Sequence, residues 1–179
     1  MTDVGAGDGM ATNDKLAVAA HYVIARLPPD RLGVVKLNKI LWFADCRHFS
    51  RHGKTITGRD SYVRKDEGPC AGGLEAALSA LRTDGDIVER RVPAINFTRR
   101  ELYAQSEPDL SSFTAQEIDT LLSVALEIAP LTASEASELS HDGLWSETLP
   151  GGAMAVSAGA VRVEPLDEAD LDWARAAFR

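Results

Sequence analysis

The chain has 179 residues, 45% of them hydrophobic and 26% charged, with a formal net charge of −8. That is enough apolar material for one domain burying roughly 70% of its unfolded surface, without a disulfide or structural metal. No run reaches the 18 or more apolar residues of a membrane span, and MTDVGAGDGMATND has neither the basic start nor the apolar stretch of a signal peptide, so a cytoplasmic protein off the membrane is expected.

Charge is polarised along the chain. Residues 1–100 hold 16 Lys/Arg against 12 Asp/Glu, a net of +4, whereas residues 101–179 hold 3 against 15, a net of −12. An acidic half disfavours nucleic acid and suits a basic partner. Cys46 and Cys70 are too few and too far apart for a disulfide framework or a CxxC pair and read as small, reduced, buried or half-buried residues.

In chain order, residues 1–11 are Gly, Asp and small residues without periodicity, expected as a disordered tail. A first helix is predicted from Asn13 or Asp14, with Leu16, Ala19, Ala20, Val23, Ile24 and Leu27 inward, ended by Pro28-Pro29. Lys36 to His52 follows as the central helix. Leu37, Ile40, Leu41, Ala44 and His48 form its stripe, Trp42, Phe43 and Phe49 widen it, and Lys36, Lys39, Arg47 and Arg51 are expected on a solvated basic side. Asp45 and His48 share a face, either as an acid and imidazole pair or, as the better reading, with Asp45 tying the helix to a loop. His52-Gly53 suits a helix end.

Thr55–Lys65 reads as a loop into a short strand, and Asp66–Pro69 as a turn with Pro69 opening a helix from Cys70 to about Thr83. Ala71, Gly72 and Gly73 are expected to admit another backbone closely. Ile87–Val92 and Ile95–Ala104 read as an antiparallel pair with Phe97, Leu102 and Tyr103 over one face; Arg90, Arg91, Arg99 and Arg100 guard its edges. Thr114-x-x-Glu117 and Thr132-x-x-Glu135 are capping boxes, stapled by Phe113 with Ile118 and Leu131 with Ala136, for helices of about 16 and 10 residues, the first buried through Ile118, Leu121, Leu122, Ala125 and Ile128 and closed by Pro130. Leu149–Ala160 reads as a linker or surface loop, Val161–Val163 as a short strand, and Asp167 onward as an acidic terminal helix with Trp173, Ala177 and Phe178 on its apolar side. The fold class is α+β and mostly helical: about six helices around the 36–52 helix, with a small antiparallel β element.

Lys36-Leu37-x-Lys39-Ile40-Leu41-Trp42-Phe43-Ala44-Asp45, then Gly53-Lys54, Gly68-Pro69, and Ser140-His141 with Trp145, resemble the Panacea (SocA-like) antitoxin domain of bacteria and phages. The match spans roughly residues 15–145, giving a tail over 1–11, an antitoxin-like domain over 12–145, and a C-terminal linker and acidic helix over 146–179. Glu67 and Cys70 flank Gly68-Pro69 where the family usually has an aromatic or small residue before the pair and an aliphatic one after it. The resemblance implies an antitoxin of a type II toxin–antitoxin system that holds a co-encoded, basic toxin in an inactive complex. Lys36, Leu37, Lys39, Leu41, Asp45, Gly68, Pro69, His141 and Trp145 are then mainly the structural signature of the domain.

For a basic partner, Asp170, Asp172, Trp173 and Phe178 are the candidate contacts: two carboxylates beside two aromatic anchors. The alternative is a transcriptional regulator reading DNA with the 114–142 helix pair, but Ala133–Asp142 offers no Arg, Lys, Asn or Gln to bases or phosphates. A small hydrolase or metal enzyme ranks last. The chain has no HExxH, GxSxG, Walker loop or CxxC, and Asp45, His48 and His141, with Cys46 or Cys70, are the only material for a constellation; no cofactor, metal or catalytic residue is expected.

Overall fold

A computed structural model describes residues 8–93 and 97–161. Seven α-helices and two small antiparallel sheets form a mostly helical α+β fold among them. α1 (Asp8–Arg26) begins ahead of the expected Asn13 or Asp14 start, since residues 8–13 hold nothing that stops a nucleated helix from extending. A 3-10 turn (Pro29–Arg31) leads to α2 (Val34–His52), which packs against α1, against α4 (Ala115–Ile128), α5 (Ala133–Leu139) and α7 (Val156–Ala160), and against strand β2 (Gly68–Cys70). Gly53, at φ 65°, ends α2 as its left-handed cap.

Because neighbours surround α2, most of its first half is buried. Leu37, Ile40, Leu41, Ala44 and Asp45 are all 0% exposed. So is Lys39, and Lys36 retains 7%, which overturns the solvated basic side; only Arg47 and Arg51 reach solvent. The Trp42 ring meets Tyr62 edge-on at 5.1 Å, a pairing worth about 1 kcal/mol beyond burial.

β1 (Ser61–Lys65) lies between β2 and β5 (Ala153–Ala155). Pro69 therefore opens no helix. It pairs with Arg64 on an edge strand, where its missing N–H costs no ladder bond, and α3 (Leu74–Thr83) starts after Gly73, at φ 87°. The expected linker at Leu149–Ala160 is part of the fold: β5 completes the sheet, Met154 and Val156 are buried, and α7 packs on α2. A Cβ added at Gly159 would overlap the Trp42 ring and lie 2.8 Å from the Cys46 sulfur, so the glycine allows that approach.

β3 (Ile87–Pro93) and β4 (Thr98–Ala104) pair antiparallel as predicted. Leu102 is buried, but Phe97 is 66% exposed and covers no face. Among the four arginines, Arg100 clasps Glu75 and Glu89, and Arg99 pairs with Glu101. Both capping boxes form, Thr114 with Glu117 and Thr132 with Glu135. α5 is shorter than expected, at 7 residues, with Ser140 as its C-cap. α6 (Gly143–Glu147) follows.

Candidate functional site

Four polar side chains of α2 each hold a different stretch of chain. The Asp45 carboxylate accepts the Ile56 and Thr57 N–H groups at 2.7 and 3.0 Å, the Thr57 hydroxyl at 2.5 Å and the Tyr62 hydroxyl at 2.8 Å. Burial pushes this carboxyl above its ordinary range while the donors pull it down. Asn38 accepts the Ala71 N–H at 2.8 Å and donates to the Val34 carbonyl. Lys36 donates to the Ala129 and Leu131 carbonyls at 2.8 Å each, satisfying groups left open at the end of α4. Lys39 donates to the Pro69 carbonyl at 3.1 Å.

The two lysines lie three residues apart, so both project from one face. Burial lowers the pKa of Lys36 and brings that of Lys39 down to about 8. Among the described residues neither ammonium forms an ion pair with a carboxylate; backbone carbonyls alone receive them.

Gly68, Pro69 and Ser140 meet this pair. At φ 108°, Gly68 lies so close that an added Cβ would overlap Ser140 Oγ and come 2.9 Å from Lys39 Nζ. The tight glycine is thus Gly68, whereas Gly72 has no atom within 4 Å of such a Cβ. Ser140, fully buried, donates to the Ser137 carbonyl at 2.7 Å. Beyond it, His141 stacks on Trp145 with centroids 3.9 Å apart, and the Arg64 guanidinium covers Trp145 at 4.1 Å. The Trp145 indole donates to the Lys65 carbonyl at 2.9 Å, pinning this segment to β1.

Asp45 and His48 make no acid and imidazole pair. His48 is buried with its Nδ1 unbonded and its ring 4.4 Å from His52; burial, then His52, lowers its pKa. Among the described residues no bond joins Asp45, His48 and His141, and no group of three His, Cys, Asp or Glu is placed to hold a metal ion. Cys46 is buried and Cys70 half-buried, as expected, and neither is in a disulfide. Asp170, Asp172, Trp173 and Phe178, with the predicted strand at 161–163 and the terminal helix, fall outside the described residues except for Val161, which is not in a strand.

A groove of about 1120 Å³ opens where α2, α3, β4 and the α4–α5 turn meet. Lys36, Asn38 and Lys39 line it from α2, Cys70 from β2, Leu74 from α3, Leu131 from the turn, and Phe97 with Thr98 to Arg100 from the start of β4, while Asp30, Glu67 and Glu75 add carboxylates. Sequence reading missed it, because a lysine three residues from another on a helix looks the same whether solvated or lining a groove. A smaller cavity of about 330 Å³ lies beside Trp42, Phe43, Leu139 and Gly159.

Fold and site define a helical domain in which one buried helix fastens the surrounding loops and leaves a groove of mixed charge beside it. The family model described as "Antitoxin SocA-like, Panacea domain" matches residues 37–146, more than half of the chain, which belongs to that family. Neither the curated proteins nor the solved structures yielded a match. The structured region extends past the matched residues on both sides, through α1 and through β5 and α7.

Proposed function

We propose that this protein is the antitoxin of a type II toxin–antitoxin pair and neutralises a co-encoded toxin by binding it directly. The observation that carries this reading is the family match across residues 37–146. The bonding of the signature residues supports it: Lys36, Lys39 and Asp45 are engaged in holding the domain together. Their role is to present surfaces rather than to turn over a substrate.

The toxin is basic in this reading and meets the acidic half of the chain, with Asp170, Asp172, Trp173 and Phe178 as contacts. Co-expression with each adjacent reading frame tests the function: growth arrest by one neighbour, relieved by this protein, is expected, and persistent arrest contradicts it. At the finer level, Asp170→Lys with Asp172→Lys should weaken the complex by about tenfold, or ~1.4 kcal/mol, without moving the melting temperature of the free protein. Unchanged affinity removes the acidic contacts from the account.

A further inference from the structure

α1, α2 and α4 pack on one another in pairs, and one carboxylate closes the contact between α1 and α4. Glu117 lies in the first turn of α4 and is 6% exposed. One of its oxygens accepts from the Lys15 ammonium of α1 at 2.7 Å and the other from the Thr114 N–H at 2.7 Å, so the group that caps α4 also ties down α1. Burial works against its charge, but Lys15 and the Thr114 N–H hold the carboxyl below its ordinary value, and it stays ionised where histidine titrates. α1 precedes residues 37–146, so this tie joins the matched region to a helix outside it.

His48 of α2, 5% exposed, stands within electrostatic reach of the same tie. Its Nδ1 is buried without a hydrogen-bond partner, and the His52 ring lies one turn on at 4.4 Å. The charged and titratable groups around it are His52 and Arg51 on α2, Lys15 on α1 and Glu117 on α4. Burial opposes a proton on the ring most strongly, then His52, Lys15 and Arg51; Glu117 alone favours one. A neutral imidazole leaves only one lone pair unmet. A protonated one must bury a charge beside an Nδ1–H without an acceptor, or draw Glu117 away from Lys15 and Thr114.

The folded ring therefore holds its proton less well than the unfolded chain, whose ordinary value is 6.5. As pH falls through 6.5 an opened chain binds more protons than the closed one, and stability is lost in that direction.

We propose that the α1–α2–α4 junction is an acid-sensitive latch: closed while His48 is neutral, and opened on its protonation by release of Glu117 from Lys15 and Thr114, which frees the Lys15 end of α1 and the first turn of α4 together. The latch is a property of the free chain and stands or falls apart from the antitoxin reading.

Two measurements on the full-length free protein test it. NMR titration follows the four histidines, and amide hydrogen exchange, corrected for intrinsic rate, is mapped at pH 7.5 and 5.5 in the wild type and in His48→Gln, whose side chain is uncharged at both. Expected are a His48 midpoint below 6.5 and, in the wild type, at least about threefold faster exchange around Lys15 and Thr114–Glu117 at the lower pH. Exchange in α3 and in the His48→Gln variant should change by less than about twofold. A His48 midpoint at 6.5 or above, or no local rise in exchange, overturns the latch. So does an equal rise in His48→Gln, which would assign the acid response to other groups, or a rise spread evenly into α3, which would make it global. If His48→Gln does not fold, the wild-type midpoint and exchange map decide by the same criteria.

Discussion

Asp45 and Lys39 sit two turns apart on α2, both fully buried, and burial acts on them oppositely. Four donors surround the Asp45 carboxylate, so its desolvation is repaid by hydrogen bonds. Lys39 has one carbonyl and no counter-charge in its bonds, and its pKa falls from 10.5 to about 8. The unfolded lysine therefore keeps its proton over a range in which the folded one has lost it. Where the unfolded chain binds more protons, stability rises with pH, here by up to ~1.4 kcal/mol per unit from pH 8 toward 10.5. Urea unfolding should show the wild type gaining about 1–3 kcal/mol relative to Lys39→Met between pH 7.5 and 10. Parallel curves would mean that Lys39 is charged and solvated after all. The Asp45 tie was legible in the sequence because an acid inside an apolar run must find donors. The burial of Lys36 and Lys39 was not, because long cationic side chains at helical spacing follow the same pattern on a wet face and on a covered one.

Among the elements, the starts of α4 and α5 were the most legible, since a capping box is a purely local device: Thr114 and Glu117 satisfy each other's backbone wherever the helix packs. The β2 region was the least. Pro69 fits a helix start or an edge strand equally well, and only its pairing with Arg64 decides between them. Likewise LPGGAMAVSAGA looks like a linker by composition, yet Met154 and Gly159 are small or narrow enough to slot against β1 and Trp42. Glycine contacts give the sharpest check at this scale. Gly68→Ala places a side chain at φ 108° into Ser140 and should cost about 2–4 kcal/mol. Gly72→Ala, four residues on in open space, should change stability by less than about 0.5 kcal/mol. Comparable thermal shifts for the two would deny that β2 is clamped against Lys39 and Ser140.

For the whole molecule, stretches far apart in sequence are tied together around one buried helix. Lys36 and Lys39 fasten the buried helix to the α4–α5 turn and to β2, Asp45 fastens it to the loop before β1, and Trp145 pins its own segment to β1. The helical α+β class and the central helix were readable from periodicity. The groove was not, because it is an empty space between four elements rather than a property of any one of them. The charge polarity was readable as a sum, and the structure adds that residues of both halves line the groove.

The central claim is direct binding of a co-encoded toxin, and it is tested by isolating this protein from cells that also express the growth-arresting neighbour and measuring the mass of what elutes. The account predicts a stable complex of fixed stoichiometry that survives moderate salt and contains the toxin. Recovery of this protein alone, from cells in which the neighbour is toxic and both chains are made, would contradict it.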